Sequence, residues 1–123
     1  MKTILQNLNY AAPYPGNLMR SLWALENKCR EKYSMVYLFP KAAKGLYWVN
    51  DMIDKGSKVY FKADDKSDFA EVIKIIADKC SISIIHTHFF STTEYKIMHN
   101  LFGSDVKFVL HHHNHFMDTK TLV

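Results

Sequence analysis

Cysteine is nearly absent from this chain: only Cys29 and Cys80 occur in 123 residues, and they are not in CxxC spacing. That excludes a disulfide scaffold and fits two reduced core thiols of an intracellular protein. Long apolar runs are lacking too, and none approaches the length of about 20 residues that spans a bilayer. The first ten residues are interrupted by Gln6, Asn7 and Asn9, so they lack the continuous apolar stretch of a signal peptide. There is no low-complexity tract and no internal repeat. With 48% hydrophobic and 14% aromatic residues, disorder is excluded in favour of one globular domain. The expectation is a cytoplasmic protein.

Charge decides less. Sixteen basic against twelve acidic residues make the chain mildly basic, but its lysines are scattered rather than massed. No nucleic-acid partner is expected, and a solvated surface explains the pattern. Peripheral contact with acidic headgroups on the inner face of a plasma membrane, or with phosphates, is the functional alternative.

Hydrophobic periodicity orders the chain as βαβαβαβαβ. Residues 2–9 form a first strand, and the Pro13-Tyr14-Pro15-Gly16 turn leads into a helix that Asn17 can cap. Leu18, Leu22, Leu25 and Cys29 make one apolar stripe on that helix. Residues 35–39 form the second strand, and residues 45–55 a helix carrying Leu46, Val49, Met52 and Ile53, with Gly56 as its left-handed cap. Residues 58–63 form the third strand. A third helix opens with Asp68 and Glu71 in capping-box spacing and buries Phe69, Val72, Ile73, Ile76 and Cys80. Residues 82–90 are a nearly continuous β-branched and aromatic run, the mark of a central parallel strand. Ser91 and Glu94 form another capping box before a helix ending at Gly103, and residues 106–110 form the fifth strand. The class predicted is α/β: a Rossmann-like three-layer sandwich with a mainly parallel sheet of about five strands.

Ligands of such sheets bind outside the carboxyl ends of the strands. Three polar clusters fall there. Gly16 lets the backbone approach a ligand closely, and the helix after it offers free amides to a phosphate, although Pro-Gly is also simply a good turn. It is not a GxGxxG fingerprint, which disfavours a dinucleotide enzyme. His86-Thr87-His88 ends the fourth strand, and His111-His112-His113-Asn114-His115 follows the fifth. Six of the seven histidines are in these two clusters. Imidazoles can hydrogen-bond sugar hydroxyls and phosphate oxygens, hold zinc or another borderline metal, or be structural. Against metal, neighbouring strand residues point to opposite faces, so His111 and His112 do not chelate together, and no cysteine or carboxylate in the clusters completes a tetrahedral set.

Three stretches resemble family-4-type GT-B glycosyltransferases. NYAAPYPGNLMRSL, from Asn9 to Leu22, resembles their first-strand glycine loop and following helix. IIHTHF, from Ile84 to Phe89, resembles their D-I-V-H-x-H pattern, with Ser83 in place of the aspartate. FVLHHHN, from Phe108 to Asn114, resembles the H-S-H-N of polysaccharide-building members, with His112 where serine is common. Together they cover nearly the whole chain in matching order.

The resemblance implies the acceptor-side, amino-terminal half of a retaining glycosyltransferase. Such an enzyme transfers a sugar from a nucleotide-sugar to a glycan or lipid-linked acceptor, generally without a metal cofactor. Carried over by residue, Gly16 and Asn17 match the loop near the diphosphate. His111 and His113 match the histidines facing the donor sugar, Asn114 braces their loop, and His86 and His88 line the cleft. Arg20, one turn into the helix, reaches a phosphate or serves the surface. The family's donor-binding domain, with its paired glutamates, is not among these residues, so the chain is expected to be inactive alone and to be a fragment or half of a split enzyme. Two other classes remain open: a non-catalytic Rossmann-like binding or regulatory subunit on a separate catalytic partner, and a metal-binding module.

Overall fold

Every anticipated element forms, in a computed structural model that describes residues 2–62, 66–89 and 91–111. The strands are β1 (Lys2–Leu8), β2 (Tyr33–Phe39), β3 (Lys58–Phe61), β4 (Ile82–His88) and β5 (Lys107–His111). The helices are α1 (Gly16–Cys29), α2 (Tyr47–Asp54), α3 (Lys66–Lys79) and α4 (Thr92–Phe102). All four strand pairings are parallel, and the sheet order is β3-β2-β1-β4-β5. This is a Rossmann-like α/β sandwich.

The order follows from handedness. Crossovers between parallel strands are right-handed, so steps from β1 through β2 to β3 put α1 and α2 on one face. The chain then returns past β1 to β4 and steps the other way, which puts α3 and α4 on the opposite face. The two cores record this. Ile4 and Leu8 of β1 pack with Met19, Leu22, Tyr37, Phe39, Trp48 and Val49 on the α1/α2 side. Leu5 packs with Val36, Leu38, Phe69, Ile73, Ile76 and Ile85 on the α3/α4 side. Fully burying a side chain such as Leu5, Ile73 or Ile85 contributes about 1.5–3 kcal/mol. No helix among the described residues is long and apolar enough to cross a membrane.

Local chemistry sets several boundaries. Gly56, at φ 98°, closes α2, with the amides of Gly56 and Ser57 donating back to the carbonyls of Ile53 and Met52. Ser91 caps α4 as expected, its hydroxyl accepting from the Glu94 amide at 3.3 Å. Elsewhere the expectations need correction. Asn17 does not cap α1: the helix starts at Gly16, and the carbonyl of Pro15 takes the first helical bond, from Met19. Asp68 does not open α3, which begins two residues earlier at Lys66 and leaves Asp68 inside the first turn. Helix α2 starts at Tyr47 rather than residue 45, because Gly45 is left-handed at φ 95° and Leu46 is extended. Ile53 faces solvent, and Trp48 takes the inward place, its indole N–H donating to the Ala12 carbonyl at 3.0 Å. The α1 stripe is not simply core either: Met19 and Leu22 are buried, whereas Leu25 is exposed.

Candidate functional site

Strand β1 pairs with both β2 and β4, so the sheet changes direction between β1 and β4. In open α/β sheets the crevice at this switch point receives ligands. Side chains alternate across a strand, so the ends of β1 and β4 send polar groups to both faces, and two clusters result.

On the α1 side, His86 and His88 are two residues apart on β4 and share a face. His88 is the register partner of His111 on β5. The three rings converge, with centroids 4.0 Å apart for His86–His88, 5.7 Å for His86–His111 and 5.6 Å for His88–His111. One ring nitrogen from each lies within 4.8 Å of the other two. Burial is graded: His88 is buried, His86 half-buried and His111 exposed. His88 Nε2 stands 2.8 Å from Gln6 Oε1. An amide oxygen only accepts, so Nε2 donates there, and that tautomer puts the ring's lone pair on Nδ1. The Gln6 amide is itself anchored, its Nε2 donating to Met35 Sδ at 3.2 Å.

The histidines open on a pocket of about 500 Å³ whose far wall is α1. Asn17 and Ser21 supply polar groups to it, and Leu18, Leu22 and Leu25 the apolar surface. The stripe read from the sequence as core is therefore, in part, the wall of this pocket. Next to the lining Asn17, Gly16 has φ 62°, and a Cβ there would come 3.2 Å from the Tyr10 hydroxyl. Tyr10 holds the loop by bonding the carbonyls of Tyr14 and Pro15. The left-handed backbone favours glycine at that position, and a side chain would also crowd the Tyr10 hydroxyl.

On the α3/α4 side, Asn7, Asn9, Lys62 and Glu94 form a closed ring. The Lys62 ammonium lies 2.9 Å from Glu94 Oε2 and donates to Asn9 Oδ1 at 2.7 Å. Glu94 Oε1 also accepts from the amides of Asn7 and Asn9 at 3.2 and 3.1 Å. Burial lowers the Lys62 pKa, and the neighbouring Glu94 carboxylate opposes that shift. Glu94 lies in the first turn of α4, where the helix dipole favours an anion. Asn7 Oδ1 is the one buried side-chain acceptor among the described residues with no hydrogen-bond partner. Beside the ring, Phe89 is left-handed at φ 61°. It is held there by its amide donating to the His111 carbonyl, by its carbonyl accepting from Asn9, and by its ring stacking on Tyr10. A bulky residue in that conformation is strained, by about 1–3 kcal/mol, and such strain persists only where surroundings impose it.

Of the residues singled out in the sequence, Asn17, His86, His88 and His111 are brought to one pocket, and Gly16 precedes Asn17 without lining it. Arg20 is not among them: it is on the other flank of α1, lining a separate pocket with Trp23, Tyr47 and Asp51. His113 and Asn114 lie outside the described residues, as do His112 and His115. Sequence reasoning missed the Lys62–Glu94 ring, whose members are 32 residues apart and share no local pattern. Gln6 was missed as well. A polar residue alternating with Ile4 and Leu8 on an inward strand face was the available signal. No family model, curated protein or solved structure matches this chain.

Proposed function

We propose that this domain is the acceptor-side half of a GT-B-like, retaining glycosyltransferase and binds a sugar-phosphate ligand in the histidine pocket. One observation carries the reading: the first turn of the helix after β1, at Asn17 and Leu18, and the histidines ending β4 and β5, three stretches distant in sequence, border a single pocket at the switch point. Its chemistry suits a sugar. Imidazole and amide groups on one wall exchange hydrogen bonds with hydroxyls, and leucines on the other cover the C–H face of the ring. The free amides at the start of α1 favour a phosphate beside Gly16. Transfer to a glycan or lipid-linked acceptor, as in cell-surface polysaccharide synthesis, requires a donor-binding domain in addition, with a nucleotide-sugar as co-substrate.

NMR titration of the chain with uridine- and guanosine-diphosphate sugars and with neutral oligosaccharides tests this. The expected result is saturable shifts of the His86, His88 and His111 ring signals and of the Asn17 amide, lost in His111→Ala. Unmoved signals across the whole panel would remove the proposal.

A second reading, a non-catalytic subunit docked on a catalytic partner, is favoured by β5. Strand β5 is the sheet's edge and leaves Val109 and Leu110 exposed. Sedimentation of the chain with a candidate donor-binding protein tests docking, and the two readings part on whether His111→Ala abolishes sugar transfer by the complex, as the first requires, or leaves it unchanged.

A further inference from the structure

We propose that His86, His88 and His111 form a binding site for a divalent transition metal, zinc above others, with its fourth coordination position open to the α1 pocket. Three features of the geometry support this.

The first is convergence from two strands. His86 and His88 share a face because they are two apart on β4, and register brings His111 beside them. Their ligand-capable nitrogens lie within 4.8 Å of one another. Ligands of a tetrahedral zinc with bonds of about 2.0–2.1 Å stand about 3.4 Å apart, so the trio must close by little more than an ångström. His111 is the exposed member of the trio, at the end of β5.

The second is the support behind the ligands. Metal-bound histidines commonly donate their other ring N–H to a carbonyl or carboxylate, which fixes the tautomer and orientation. The buried amide of Gln6 does this for His88, from 2.8 Å, and leaves the lone pair on Nδ1.

The third is the ligand set. No cysteine or carboxylate joins the trio among the described residues. An all-imidazole set suits zinc, copper or nickel rather than magnesium or calcium, which take oxygen ligands. Three protein ligands leave a zinc ion a fourth position for water or another oxygen donor, as in catalytic rather than structural zinc sites. Here that position faces a pocket of about 500 Å³ containing Asn17 and Ser21, enough for a small phosphate or hydroxylated ligand. The inference goes beyond the sugar-binding reading and does not depend on it.

The histidine run from His111 to His115 can bind metal by itself, so the test separates the two. Untagged chain is titrated with zinc alone by calorimetry, and with cobalt by visible absorption, which reports a tetrahedral site. The expected result is one ion per chain with micromolar or tighter affinity. It is retained in the triple variant His112→Ala/His113→Ala/His115→Ala and weakened at least about 100-fold in His86→Gln. Gln6→Met weakens it about 10–100-fold by removing the acceptor behind His88. Circular dichroism and urea midpoints of each metal-free variant confirm the fold. If binding survives His86→Gln and disappears in the triple variant, the ion belongs to the run and the proposal is overturned. Absence of stoichiometric binding to the wild-type chain overturns it too. Neither outcome touches the sugar-binding reading, whose probe contains no metal.

Discussion

The two polar clusters at the switch point each include a side chain of β1 and lie on opposite faces of the sheet, yet they differ in closure. Around Lys62, cation, carboxylate and both asparagine amides bond one another, and Lys62 is 6% exposed. Around His88, the side chains converge without neutralising one another, exposure rises from His88 through His86 to His111, and a pocket lies in front. A buried charge must be paired, so the first cluster spends its bonding capacity inward and ties β1, β3 and α4 together. The second is graded in burial and faces a pocket, and that is the place to look for a ligand here.

Three measurements break or sharpen that contrast. Removing one member of the closed ring should have the largest effect. Glu94→Ala leaves the Lys62 ammonium buried without its carboxylate, at a cost of about 3–5 kcal/mol in urea denaturation. A loss under about 1 kcal/mol would show that the ring does not clasp the fold.

A smaller effect is expected from pH. Burial holds the Lys62 pKa below its ordinary value of 10.5 in the folded chain. Between that lowered value and 10.5 the unfolded chain binds more protons, so this group makes stability rise with pH, by at most about 1.4 kcal/mol per unit. The rise should vanish in Lys62→Met, with stability measured across the alkaline range. Matching slopes in the two proteins would contradict the assigned burial.

The smallest effect should come from the open cluster. In metal-free buffer, His86→Ala should change stability by less than about 1 kcal/mol, because His86 is half-buried and its loss orphans no buried charge. A cost near that of Glu94→Ala, by the same denaturation assay, would make the histidines core and erase the comparison.

Much of this was legible beforehand. Apolar spacing and runs named the five strands and four α-helices of the described residues, because burial of one face or both imposes a pattern on the order of apolar residues. Gly56 and the Ser91 cap were readable because their bonds are local. The cap at Asn17 and the box at Asp68 failed because turn chemistry tells where a helix can start, while packing and the preceding backbone choose among neighbouring starts. Glu94 was read for its place beside Ser91, and its carboxylate instead serves Lys62, Asn7 of β1 and Asn9 just past its end. That role was invisible, since nothing local joins residues 7, 9, 62 and 94.

The histidines divide along the same line. The sequence by itself determined that His86 and His88 share a face and that both histidine clusters end strands, since alternation and chain order are local properties of the backbone. Judging chelation from His111 and His112 alone, it pointed away from metal. Only the tertiary structure decided that β4 and β5 are neighbours in a register that sets His111 beside His88, with Gln6 behind them and the leucines of α1 in front. Register between strands depends on which side chains pack across the sheet, and that is a property of the whole fold.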